Sequence, residues 1–153
     1  MLYLRKNRDM SNRTEINNYI VEQLKQIDGY SYINDYQFKS DVHRNVFIGT
    51  RFLDEINDFP CIYAVSPEEL RIYNTSGTTE AYVNTILKVY VYGDDTVSML
   101  TDLISDITKV IYSLSPPLKH QVKDITIKEI NIDSGILKPY GMSEIFLNTR
   151  FEI

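Results

Sequence analysis

Tyr82-Val-Asn-Thr-Ile-Leu-Lys-Val-Tyr-Val-Tyr92 alternates between two sets of side chains. Val83, Thr85, Leu87, Val89 and Val91 fall on one side; Tyr82, Asn84, Ile86, Lys88, Tyr90 and Tyr92 fall on the other. A period of two predicts an extended strand, and apolar residues on both sides near its end predict a central one. Gly93-Asp94-Asp95 ends that pattern and a second period begins. Val97, Leu100, Ile104, Ile107, Ile111 and Leu114 recur every three or four residues. This predicts an amphipathic helix capped by Asp95, with Asp94 near the positive end of its dipole. At 1.5 Å per residue the helix is roughly 27 Å long, enough to cross a sheet. Ser115-Pro116-Pro117 terminates it.

Working outward toward the N-terminus, a first helix is predicted from Asn12, read as its cap, with Glu15 at capping-box spacing. Ile16, Ile20, Leu24 and Ile27 form its apolar stripe, while Arg13, Asn17 and Gln23 are expected to face water. Asp28-Gly29 supplies the stop. Residues 1–11, with Arg5, Lys6 and Arg8, read as an arm, either a frayed flexible terminus or one that adds to a neighbouring subunit. Between the helices lies a β-rich region. Tyr32, Asn34, Tyr36 and Phe38 are expected to share one strand face, and Val42 to Ile48 is a second candidate. Cys61 to Val65 and Glu68 to Tyr73 read as two strands separated by Ser66-Pro67. Asn74-Thr75-Ser76-Gly77-Thr78-Thr79 is small and polar and reads as a mobile loop.

After the second helix the chain reads as a β-hairpin. Ile125 and Ile127 have the opposite parity from Ile130 and Ile132, which a bulge near Lys128-Glu129 reconciles. Asp133-Ser134-Gly135 turns the chain, Ile136 to Gly141 is a loop, and Met142 to Ile153 is the closing strand. Its residues Ile145, Leu147, Thr149, Phe151 and Ile153 face one side. The fold class is therefore α+β: a mostly antiparallel β-sheet with two main amphipathic helices packed on one face. The 153 residues fit one domain, and a chain of this size buries enough surface to fold without disulfide or metal.

The chemistry-bearing residues are sparse. His43 and His120 are the only histidines, and a single carboxylate near His43, from Asp41, does not make a zinc site. Cys61 stands alone in an apolar strand and reads as a small buried hydrophobe. No glycine-rich phosphate loop or nucleophile motif occurs. Asp94-Asp95 is the one tempting carboxylate pair. A nuclease site would need Asp102 or Glu80 to converge on it, and helix capping is the plainer reading. Asp54-Glu55 and Glu68-Glu69 read as solvated loop charges. No catalytic, cofactor or metal residue is assigned. The formal net charge of −5 and pI near 5.0 argue against a nucleic-acid-binding domain. They suit a protein that DNA slides past without sticking. No apolar run approaches the length that spans a membrane. Twelve Tyr and six Phe, with no Trp, favour half-buried strands and interfaces.

Four segments together resemble the tail terminator, or tail-completion, proteins of long-tailed bacteriophages. They are the capped first helix ending in Ile27-Asp-Gly29; Val46 to Pro60 running into Cys61–Val65; the long strand, Gly93-Asp94-Asp95 and the helix containing Leu103-Ile-Ser-Asp-Ile107; and Ile130 to Gly141 with the closing strand. The resemblance implies a structural virion protein, assembled in the host cytoplasm, that forms a hexameric ring. Such a ring caps the head-proximal end of the tail tube, ends its polymerisation and meets the head connector, while genomic DNA passes through the lumen. The implied partners are its own copies, the tube protein and the connector; no membrane is involved. Asn74, Thr75, Ser76, Gly77, Thr78 and Thr79, on loop character, are expected at an oligomer, tail or lumen contact. Asp94 and Asp95, on charge, and Pro139 and Tyr140, on the Pro-Gly loop of the resemblance, are expected there too. The alternatives are another head–tail connector or neck subunit, or a monomeric acidic adaptor or inhibitor.

Overall fold

The computed structural model describes residues 12–114, 122–133 and 135–152. The proposed arm, the Ser115-Pro116-Pro117 stop, His120, Ser134 and Ile153 lie outside them. The described chain runs α1 (Asn12–Leu24), β1 (Tyr32–Ile33), β2 (Tyr36–Gln37), β3 (Val46–Ile48), a 3-10 turn (Leu53–Glu55), β4 (Cys61–Tyr73), β5 (Thr79–Tyr92), α2 (Thr96–Ser113), β6 (Val122–Ile132) and β7 (Tyr140–Glu152). The main sheet has five strands in the order β3-β4-β5-β7-β6. All pairs are antiparallel except β3 with β4.

The central position of β5 follows from its two apolar sides. Val83, Leu87, Val89 and Val91 are buried on one side with Ile145, Leu147 and Phe151 of β7, and both helices pack there. All four expected stripe residues of α1 are buried, as are Leu100, Ile104, Ile107 and Ile111 of α2. Val97 of the expected stripe is exposed, because Thr96 takes the sheet-facing place in the first turn, over Gly141. Leu103 and Val110 are buried instead, one step round the helix. Among the described residues, the hydrophobic cluster on the opposite side of the sheet is the one in which Leu53, Ile56 and Phe59 pack on Cys61, Tyr63, Tyr90 and Met142.

Several local expectations are corrected. Asn12 is helical, the first described residue of α1, rather than a cap ahead of it. The helix ends at Leu24, and Gly29 takes its φ of 85° in the turn that follows. Tyr32 to Phe38 is not one strand. Asn34, at φ 51°, turns the chain between β1 and β2, which pair with each other. Only Val46–Ile48 of the second candidate is strand. Cys61 to Tyr73 is one strand, because Ser66-Pro67 forms a bulge and the ladder with β5 resumes at Glu68. Proline is tolerated there because β3 pairs with β4 only as far as Ala64. The predicted bulge in β6 is present between Ile127 and Glu129, and it keeps Ile125, Ile127, Ile130 and Ile132 opposite the buried residues of β7.

Two polar clusters sit inside the helix-covered side. Asn17, expected to be wet, is buried; its Oδ1 accepts from Ser66 Oγ at 2.6 Å, and Ser66 Oγ lies 2.7 Å from Thr85 Oγ1. The bulge turns the Ser66 hydroxyl toward α1, and α1 meets it with a polar side chain. Asp106 of α2 is fully buried. Its carboxylate accepts from Tyr36 Oη (2.7 Å), from Lys39 N (3.1 Å) and from Ser40 N (2.8 Å). One buried charge thus ties the β1–β2 excursion to α2, and the pairing offsets the cost of burying it.

Asp106→Ala leaves two amide N–H groups and a phenol without their acceptor and is expected to cost about 3 kcal/mol in urea unfolding. Burial and the Asp106 hydrogen bond also raise the pKa of Tyr36 above its ordinary value of 10.0. Above about pH 10 the unfolded phenol gives up its proton while the native one keeps it, so the unfolded state binds fewer protons and stability falls. Tyr36→Phe is expected to flatten that alkaline loss in melts taken between pH 9 and pH 11.

Candidate functional site: the two ends and the two edges of the sheet

Among the described residues no group of three or more His, Cys, Asp or Glu could hold a metal. Asp95 does what its position predicts: its carboxylate accepts from Ser98 N at 3.1 Å and caps α2. Glu80 lies near the other end of β5, opposite Glu152, and does not converge on Asp94. Asp54 and Glu55 are exposed on the 3-10 turn. Glu68 and Glu69 are strand residues rather than loop charges. Glu68 accepts from Asn84 Nδ2 at 2.9 Å, and Glu69 from Arg71 Nε at 2.7 Å. His43 is exposed; its Nδ1 lies 2.8 Å from the Lys25 carbonyl oxygen.

Cys61 is buried, and burial, with the charge of Asp58 behind it, pushes its thiol up to about 12. A thiol held so far above neutrality is a packing group rather than a nucleophile. No helix among the described residues is long and apolar enough to cross a membrane.

What the fold offers is contact surface, and it is distributed with a polarity. The expected contact residues separate into two groups at opposite ends of β5. At one end the chain folds back as a hairpin: Tyr73 pairs with Thr79, Asn74 N donates to Thr78 O (2.8 Å), and Gly77 takes φ 86°. Asn74 to Thr78 are all exposed, while Thr79, expected in the loop, is the first residue of β5. Leu70, Ile72 and Tyr73 beside this tip are also exposed.

At the other end the structure brings together two groups far apart in sequence. Tyr92 pairs with Tyr140, and Gly93 N donates to Pro139 O at 3.0 Å. Asp94 and Asp95, both exposed, therefore stand beside Pro139 and Tyr140. Tyr140 and Gly141, expected in a loop, belong to β7. Tyr92, Tyr140 and Phe59 form an aromatic triad with centroid separations of 5.1–5.8 Å, and Tyr92 is half exposed. Phe59 was not foreseen here; the only signal was the Phe59-Pro60 pair just ahead of a strand.

Gly141 sets the height of this end. A Cβ there would meet Thr96 Cβ at 2.7 Å and Val91 Cγ2 at 2.8 Å, so only glycine lets β7 pass beneath the start of α2.

Among the described residues the exposed features are two sheet edges, a projecting hairpin and an aromatic end. A profile of the family described as bacteriophage tail tube terminator protein matches residues 10–153. The chain belongs to that family, and it is a tail-terminating structural protein of the virion tail. It is 29% identical over 158 aligned residues to tail tube terminator protein p142 of Escherichia phage T5, covering 94% of this chain and 95% of that protein. A chain from the virion of the native gene transfer agent particle superimposes with a TM-score of 0.51 at 6% identity, over 72% of this chain and 81% of that one. At that identity the likeness is one of fold.

Gly141→Ala is expected to cost about 2 kcal/mol by overpacking, measured as a shifted denaturation midpoint. Labelling of Cys61 by a thiol reagent at pH 8 is expected to proceed only as fast as the protein unfolds. Rapid labelling of the native chain would contradict the burial described here.

Proposed function

We propose that the chain forms a closed ring of six copies that seats on the head-proximal end of the tail tube, stops its growth and offers its opposite side to the head connector. The observation that carries this reading is the polarity of the sheet. The 14 residues of β5 separate the two ends by roughly 43 Å, at about 3.3 Å per residue. The ends differ in chemistry: a polar tip flanked by Leu70, Ile72 and Tyr73 at one, two carboxylates beside an aromatic triad at the other. A terminator has two unlike axial neighbours, and two unlike ends suit it. The number six comes from the family resemblance.

The side of the sheet away from the helices suits a DNA passage. Its charges on β5, β6 and β7 are Glu80, Asp124, Glu129, Glu144 and Glu152 against Lys88, Arg150 and Lys123, the last ion-paired with Glu152 at 3.4 Å. An excess of carboxylates repels phosphates and keeps DNA from adhering. The role needs no catalytic group.

Light scattering across a concentration series, with negative-stain imaging, tests the ring. The expected mass is near six times the 17.9 kDa chain, with a central hole. A second assay adds the chain to purified tail tubes, where it is expected at one end only. Failure of both overturns the reading. Asp94→Lys is expected to leave the melting temperature within about 3 °C while impairing particle assembly in complementation. Asp95 is left untouched in that test because it caps α2.

A further inference from the structure

The register of the main sheet aligns its two edges, β3 and β6, which pair with no further strand among the described residues. Ile48 of β3 pairs with Ala64, Ala64 with Leu87, Leu87 with Ile145, and Ile145 with Ile130 of β6. Two residues along, Val46 leads in the same way through Ile62, Val89 and Ser143 to Ile132. The rows thus run straight across all five strands, and β3 ends up level with residues 130–132 of β6. Both stretches are exposed and apolar at that level: Phe47 is 42% and Ile48 51% exposed, Ile130 38% and Ile132 43%. The strand directions also match. Pairing through β4, β5 and β7 makes β6 run opposite to β3, so β6 of one copy meets β3 of the next in antiparallel fashion.

Charge points the same way. Arg51 follows β3 on the side away from the helices, where it shares a cleft with Phe47 and Tyr63. Glu129 stands on that same side at the opposite edge, opposite Phe146. An antiparallel pairing that sets Ile48 against Ile130 carries Arg51 toward Glu129. From these observations we infer that adjacent copies join edge to edge, β3 of one against residues 129–132 of β6 of the next, extending the sheet around the ring. This rests on the ring reading and names its subunit contact. Level edges matter because a head-to-tail contact closes into a ring only when it adds no axial rise; an offset produces a helical filament.

The test is a disulfide trap between copies, in the full chain. Ile48→Cys combined with Ile130→Cys places two thiols on one row, at a separation a disulfide can bridge. Cys61 is buried and does not compete. Mild oxidation is expected to give a covalent ladder that ends at the ring's copy number. The control, Ile48→Cys with Ile125→Cys, shifts the second thiol by four rows, about 13 Å, and is expected to give no ladder. An oligomer by light scattering without a ladder, or an equal ladder from the control, overturns the edge pairing and leaves the ring standing. A chain that is monomeric at every concentration and also fails to bind one end of purified tail tubes overturns both; if it assembles only on tubes, the ladder is read there. Charge exchange gives a second readout. Glu129→Arg alone is expected to weaken association more than about tenfold, and adding Arg51→Glu is expected to restore it. No rescue counts against the pairing.

Discussion

Thirteen consecutive residues of β5, Glu80 to Tyr92, pair with β7 without a break in register. Everything else in the fold depends on this ladder. Side chains alternate across a sheet, so a slip of one residue would exchange the buried and open sides of both strands. The unbroken pairing holds Val83, Leu87 and Val89 beneath the helices together with Ile145, Leu147 and Phe151. It also fixes where the outer strands stand, because β4 and β6 take their register from β5 and β7. Irregularities are confined to those outer strands, at Ser66-Pro67, at Lys123 and near Lys128.

Much of this was legible in the chain. The two-residue period of Tyr82–Tyr92 and the helical period after Asp95 survive folding almost unchanged, because those segments bury one side each and the burial enforces the pattern. The bulge at Lys128 was legible for the same reason: two pairs of isoleucines of opposite parity need one extra residue between them. The errors fell where polar groups decide the outcome. Asn17 reads as a surface residue until Ser66 and Thr85 are seen beside it. Asp106 carries no local mark of burial, and only the fold places Tyr36 and the amides of Lys39 and Ser40 around it. Such partners are dozens of residues away, and no local pattern announces them. The nearest clue is that Leu103, Asp106 and Val110 continue a row beside the main apolar stripe.

The contact surface was legible only in fragments. Asn74–Thr78 and Asp94-Asp95 stood out by composition. That Pro139 and Tyr140 join Asp94 and Asp95 follows from the β5–β7 ladder, which sequence periodicity cannot register. The alignment of β3 with the end of β6 is a property of four successive pairings. No single segment carries it, although each pairing is simple. The correspondence of edges, ends and sides to copies, axial neighbours and DNA is accordingly a geometric reading of the assembled sheet.

The bulge at Ser66-Pro67 divides β4 into a root and a free limb. Before it, Cys61 to Ala64 are buried, with Ile62 to Ala64 flanked by strands on both sides; beyond it, Leu70 to Tyr73 are exposed and, among the described residues, pair with β5 alone. One strand therefore has two local stabilities, and amide protons of the limb exchange with solvent through small openings that leave the root intact. The limb can also accept substitutions that the root cannot, since reshaping it leaves the buried core in place. A lineage of such proteins has, in this limb, a place to alter its fit to a neighbour without rebuilding its fold.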